Sequence, residues 1–397
     1  MKKDIITYQC TKASTRSKSF RINNTISCWT VFRYTNTLRV FPTYAYLDKK
    51  IMNYEDYLKT APDDRVKYYQ RDDRMYHVVR TQQFDTSLLE ELFEIANQIK
   101  LMTRKPNGID FLKSLLRHKK AMLYFTQPST RTFLSFLGAC QLVGMDTAEV
   151  RDPSLSSEYK GESQEDAVRV FSSYFDMIVM RDPKPGFCEY MAYYLDRSAR
   201  SVPFINGGSG KDQHPTQALL DLYTMYRSFQ DRGGVSGKRY AFVGDLLRGR
   251  AVRSVIFLLS QFDDVEMYFV APDAFQVAPD LEQSLEQSRV KIIKSGNLKE
   301  VLPDVDCVYM TRIQDEYDMS GESGQINYDQ FSLYPDDLKL MKPDSIILHP
   351  LPRRSEIHPE VDLDSRAMYW RQLRNGLYIR AALMLYVFNQ SHRLQEY

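Results

Sequence analysis

Apolar residues recur at helical spacing through Leu89, Leu92, Phe93, Ala96 and Ile99, and the run stops before Pro106-Asn107-Gly108. That pattern predicts a helix with one buried face, and Ser87-Leu88-Leu89-Glu90 has the spacing of a capping box at its start. The rhythm then changes. Residues 121–125 form an unbroken apolar run, as expected of a strand covered on both faces, and Phe133, Leu134, Phe136, Leu137, Cys140 and Leu142 return to a helical period. Further short strands are predicted at 146–150, 177–180, 202–205, 240–243, 266–270, 290–293, 306–309 and 345–348, the last five of them apolar. Helices are predicted at 168–174, 215–227 and about 375–390. This alternation reads as α/β, with two domains, each a parallel sheet flanked by helices. Gly233-Gly234-Val235-Ser236-Gly237 marks the expected boundary between them.

Length agrees with that division, because 397 residues suffice for two cores. The net charge of +2 hides an asymmetry: residues 1–51 hold ten Lys/Arg and two acids, leaving 43 basic and 49 acidic residues beyond them. The body is therefore mildly acidic, which removes electrostatic support for a nucleic-acid partner. The acid-poor, Ser/Thr/Arg-rich start fits an organelle transit peptide or a translated stretch ahead of an internal start at Met52, outside the fold in either case. A cytoplasmic location is expected, or a plastid if that stretch is a transit peptide. Residues 52–75 read as a peripheral extension. The domains are expected at 76–232 and 233–369, with a terminal helix over 370–397 returning to the first. Five cysteines without metal-type spacing favour reduced thiols, and no apolar run is long enough to span a bilayer.

In open α/β sheets the ligand crevice lies at the carboxyl ends of the strands, and here those ends are polar and rich in arginine. Ser129-Thr130-Arg131-Thr132 follows the first strand and opens a helix. A Ser or Thr there is either a plain cap or part of an anion grip. The Arg in the first turn favours the second, since a cation there opposes the helix dipole unless an anion is bound. Arg181 follows the 177–180 strand. Asn206-Gly207-Gly208-Ser209-Gly210 reads as a loop before His214-Pro215-Thr216-Gln217. Arg250, Thr311-Arg312 and His349-Pro350-Leu351-Pro352-Arg353 follow later strands. Their repetition at one edge predicts a cleft for an anionic substrate. Taken singly, His214 could satisfy local backbone, Arg250 could pair with Asp245, Arg312 could pair with Asp315 or Glu316, and the Pro-rich stretch could be only a turn.

Ser-Thr-Arg-Thr, His-Pro-Thr-Gln-Ala-Leu-Leu-Asp-Leu-Tyr-Thr and His-Pro-Leu-Pro-Arg, in that order over about residues 77–390, resemble the aspartate/ornithine carbamoyltransferases. Pro350, where the ornithine branch has Cys, and Met310-Thr311-Arg312-Ile313-Gln314 point to the aspartate branch. The resemblance implies the carbamoyltransferase fold, with an N-terminal domain for carbamoyl phosphate, a C-terminal one for aspartate, and sites shared in a homotrimer. It implies that Ser129, Thr130, Arg131 and Thr132 hold the phosphate. Arg181, His214 and Thr132 would face the carbamoyl oxygen, Gln217 the carbamoyl amide, and the carbonyls of Pro350 and Leu351 the nitrogens. Arg250 would take the α-carboxylate of aspartate, and Arg312 with Gln314 the side-chain carboxylate. Ser156 and Lys160 would enter from the neighbouring subunit, Lys160 to bind aspartate, although alone their loop reads as a solvated turn. No cofactor or metal is implied, and the sequence carries no signal on separate regulatory chains.

Two positions depart from the better-known bacterial members. Gln127 replaces a Glu, and Tyr317 replaces an Arg, of a charged contact that links the domains on closure, so a neutral contact or none is expected. A transcarbamylase for another amino acid and a catalytically silent scaffold are the rival readings. Arg312 and Gln314 disfavour a cationic acceptor such as ornithine, and the retained charged residues disfavour a silent scaffold.

Overall fold

The computed structural model describes residues 29–34, 37–42, 53–152, 161–210, 212–286, 288–313 and 327–397. It forms two compact units, Met1–Asp56 and Tyr57–Tyr397. Within the first, Trp29–Tyr34 and Thr37–Pro42 pair as an antiparallel hairpin in register Trp29↔Pro42.

The second unit holds two parallel sheets. Strands β1 (Lys120–Phe125), β2 (Asp146–Val150), β3 (Met177–Asp182) and β4 (Phe204–Ser209) lie in the order β2-β1-β3-β4. Strands β5 (Arg239–Val243), β6 (Glu266–Val270), β7 (Lys291–Ser295), β8 (Cys307–Met310) and β9 (Ile346–Leu348) lie in the order β7-β6-β5-β8-β9. Each order reverses beside its first strand. The crevices at β1/β3 and β5/β8 are thus switch points, where a ligand can lie between diverging loops. Register places Phe125 opposite Arg181, and Met310 opposite Val243, so the loops that follow leave side by side. Apolar runs in β3 and β8 are buried along their whole length, which accounts for their lack of alternation.

Helices α1 (Thr86–Met102), α2 (Pro106–Leu115), α3 (Thr130–Leu142), α4 (Gln164–Tyr174), α5 (Phe187–Asp196), α6 (Pro215–Phe229), α7 (Arg250–Leu259), α8 (Pro279–Glu286) and α9 (Tyr369–Val387) are the longer helices among the described residues of the unit. The terminal helix α9 packs on α1, α3 and α6. It buries Ile379, Leu383 and Leu385 completely, each contributing about 1.5–3 kcal/mol of apolar burial.

Three expectations need correction. The cap of α1 is Asp85, whose carboxylate accepts from Leu88 N at 2.8 Å, so Ser87 lies inside the first turn and the capping-box reading fails. The glycine-rich stretch expected as a loop is mostly strand, because β4 runs through Gly207 and Gly208 to Ser209. From Tyr57 onward the extension is docked rather than peripheral: Tyr57 and Tyr69 are buried, and both hydroxyls donate to Glu189 on α5, at 2.6 and 3.2 Å.

Candidate active site

Ser129 occupies the N-cap of α3 without its hydroxyl bonding back to the first turn. The α3 N-terminus therefore keeps its backbone donors and its dipole directed out of the helix, beside the Arg131 guanidinium. Next to it, Arg181 at the end of β3 is buried and donates through Nη1 to the Gly207 carbonyl at 3.1 Å. The close approach depends on Gly208. A Cβ there would stand 2.6 Å from Arg181 Nη1, and its φ of +121° suits only glycine. His214 caps α6, with its backbone N donating to Ser254 Oγ at 3.2 Å and its Nε2 3.4 Å from Thr132 Oγ1.

Burial drives the His214 imidazole well below its ordinary pKa, and Arg181, Arg250 and Arg380 add to the shift. The ring is neutral at physiological pH, able to donate from one nitrogen without carrying charge. One helical turn on, Gln217 donates through Nε2 to Asp221 at 2.8 Å, which ties down its amide nitrogen.

The second sheet supplies the facing wall. Arg250 opens α7, and both of its terminal nitrogens approach Gln127 Oε1, at 3.3 and 3.4 Å, while Nη1 also bonds the Gly210 carbonyl. Gln127 thus meets a charged group, while the contact expected of it with Tyr317 lies outside the described residues. Asp245 is instead engaged by Arg248, through the backbone N at 2.9 Å and a 4.0 Å ion pair. Arg312 lies in the coil after β8. Burial, and then the charge of Arg312, lower the pKa of Arg131 across the gap.

The loop after β9 is held by His349, which is buried. Its Nδ1 accepts from Leu351 N at 2.7 Å, so its Nε2 carries the proton and donates to Glu356 at 2.8 Å. Leu351 sits at φ +52°, a left-handed conformation costing a non-glycine residue about 1–2 kcal/mol. That turn orients the carbonyls of the Pro350-Leu351 segment. Arg353 turns away, paired with Asp362 at 2.7 Å.

A single cavity of about 210 Å³ gathers Ser129, Arg131, Thr132, Arg181, His214, Gln217, Arg250, Arg312, Pro350 and Leu351. Thr130 is exposed and stands outside that lining. Ser156, Lys160 and Gln314, like Tyr317, Asp315 and Glu316, lie outside the described residues. The sequence reading missed Ser135 and Arg380, which also line the cavity and meet each other at 2.6 Å, Arg380 Nη1 donating to Ser135 Oγ. An arginine within the apolar second half of α9, from Leu377 to Val387, was the available signal. Converging guanidiniums, a neutral buried imidazole and a helix N-terminus make the cavity suited to a substrate with several negative charges. Among the described residues no group of His, Cys, Asp and Glu side chains could hold a metal ion.

Residues 76–227 match the family described as aspartate/ornithine carbamoyltransferase, carbamoyl-P binding domain, and residues 236–387 match its Asp/Orn binding domain. The chain belongs to the aspartate/ornithine carbamoyltransferase family. Among its relatives, the Pisum sativum protein named aspartate carbamoyltransferase 1, chloroplastic, is 39% identical over 311 residues, covering 77% of each chain. The catalytic subunit of M. Jannaschii aspartate transcarbamoylase superposes with a TM-score of 0.70 at 35% identity, over 79% of this chain and 98% of that one. The Trypanosoma cruzi aspartate transcarbamoylase solved in complex with carbamoyl phosphate and aspartate gives 0.68 at 32%, over 78% and 96%.

Proposed function

We propose that this carbamoyltransferase moves the carbamoyl group of carbamoyl phosphate to the amine of L-aspartate, releasing phosphate and N-carbamoyl-L-aspartate, in de novo pyrimidine biosynthesis. The observation that carries the reading is one cavity lined from both switch points, with an anion grip on the β1/β3 side and two further arginines on the β5/β8 side. The Trypanosoma cruzi complex with both substrates supports it from outside.

In this reading Ser129, Thr130, Arg131 and Thr132 hold the phosphate, Thr130 through its backbone. Thr132, Arg181 and neutral His214 direct donors at the carbamoyl oxygen, where charge gathers as the amine attacks. Such donors are worth about 2.7–4 kcal/mol each. Gln217 and the Pro350 and Leu351 carbonyls orient the carbamoyl amide and the incoming amine. Arg250 and Arg312, with Gln314, hold the two carboxylates of aspartate. The new C–N bond forms as the C–O bond to phosphate breaks, and the departing phosphate accepts the amine proton. Bringing two substrates together in one geometry accounts for up to about 7–11 kcal/mol of the barrier. We assign residues 76–232 and α9 to the carbamoyl phosphate domain and residues 233–369 to the aspartate domain. Ser156 and Lys160 complete each site from the next subunit of a homotrimer. For location, the chloroplastic Pisum sativum relative supports the plastid alternative over the cytoplasm.

The test is a carbamoylation assay with carbamoyl phosphate and a panel of amino acids. Aspartate is expected to be the preferred acceptor, and turnover of ornithine without aspartate would overturn the assignment.

A further inference from the structure

A second cavity, of about 520 Å³, lies between the C-terminal ends of α1 and α6, the first half of α9 and the segment entering β9, and it shares no lining residue with the first. Its lining is cationic: Lys100, Arg227, Arg232, Arg366, Arg371 and Arg374 face one carboxylate, Asp344. Two of the six are neutralised. Arg232 pairs with Asp344 at 2.7 Å and Arg366 with Asp364 at 2.8 Å. The other four have no carboxylate partner among the described residues. Arg227 donates to the amide oxygens of Asn97, at 3.1 Å, and Gln230, at 2.9 Å, and its buried Nε has no acceptor. Among the described residues Arg371 reaches only the Met368 sulfur, at 3.6 Å. Burial, and then the charges of Arg227, Arg104, Arg371 and Arg374, lower the Lys100 pKa, as happens when like charges are held together.

Four unneutralised cations around a concave surface cost Coulomb energy that a bound anion would remove. A singly charged anion would leave most of that repulsion in place. Three guanidinium forks and an ammonium instead match a chain of phosphates, each presenting several acceptor oxygens. We propose that this cavity is a binding site for a polyphosphate anion, separate from the substrate cavity. The two linings stand apart on α6, with Gln217 and Leu220 on one and Arg227 on the other, and adjoin on α9 at Leu373 and Arg374.

Tripolyphosphate titrated calorimetrically into the full chain tests this, with Arg131→Ala to weaken the substrate cavity and Arg371→Glu/Arg374→Glu to reverse two exposed charges of the second. Arg131→Ala is expected to retain one tripolyphosphate site. Combining it with the double reversal should weaken that site at least about tenfold. Arg374→Ala alone, a milder change, should weaken it by a smaller factor, and circular dichroism checks that each variant is folded. Absence of binding to Arg131→Ala, or equal binding with and without the reversed charges, would overturn the proposal.

Discussion

Asp221 is the residue on which the substrate cavity's inner wall converges. It is fully buried on α6, and it accepts from Gln217 at 2.8 Å, from the Tyr309 hydroxyl of β8 at 2.6 Å, and from Gln372 of α9. Gln372 in turn accepts from the backbone N of His349 at 3.0 Å, at the root of the Pro350-Leu351 turn. Burial raises the Asp221 pKa to about 7 against the lowering effect of its three donors. Below that pH the native carboxyl takes a proton that the unfolded one, titrating near 4, still lacks. Its contribution to folding therefore becomes more favourable as pH falls from about 7 to about 4, and less favourable in the other direction. Asp221→Asn should abolish that slope. It should also leave at least one buried donor unmatched, costing about 1–3 kcal/mol of stability. Urea unfolding of both proteins between pH 5 and pH 8 checks this, and parallel slopes would refute it. Gln217 was legible in the sequence because its run, His214 to Gln217, is contiguous. Asp221 sits in the same motif, yet its role was not legible: its partners stand 88 and 151 positions away, and contacts at that separation leave no periodic trace.

At the scale of elements, the inner strands were the most readable part, since β1, β3, β5 and β8 are covered and their apolar runs are nearly uninterrupted. Boundaries failed where side chains or glycines overrode the pattern. Asp85 displaced Ser87 as the cap of α1, and β4 extended through two glycines that composition alone assigns to a loop. The reason for the second miss is the ladder itself: β4 is held by β3 on one side and bridged to Val78 on the other, and Asn206 Oδ1 accepts from Gly208 N at 2.8 Å, so the strand's backbone is satisfied through the glycines. Gly208 is there for proximity to Arg181. Gly208→Ala would combine a strained φ with a Cβ pressed on the Arg181 guanidinium. The expected result is a fall in kcat of about a hundredfold, comparable with removing one oxyanion donor. The far-UV circular dichroism spectrum should be unchanged. Steady-state kinetics at saturating substrates decide it, and a normal kcat would show that β4 does not set the Arg181 position.

The whole molecule presents a cavity open to further groups. Its phosphate side and its carboxylate side both come from this chain, while Ser156 and Lys160 are proposed to reach the site of a neighbouring copy. If so, a single active site combines Arg131 of one subunit with Lys160 of the next, and two inactive variants carry complementary halves. Arg131→Ala and Lys160→Ala should each be nearly inactive alone. Mixed one to one, dissociated and reassociated, they should regain about one quarter of wild-type activity, because in a closed ring with random assembly one subunit junction in four pairs an intact Arg131 with an intact Lys160. Specific activity after reassociation measures this, with each variant taken through the same cycle alone as the control. Recovery no greater than the sum of the two controls would mean that Lys160 serves its own subunit or no site at all. Recovery near one quarter would make the assembled ring, rather than the folded chain, the smallest catalytic unit.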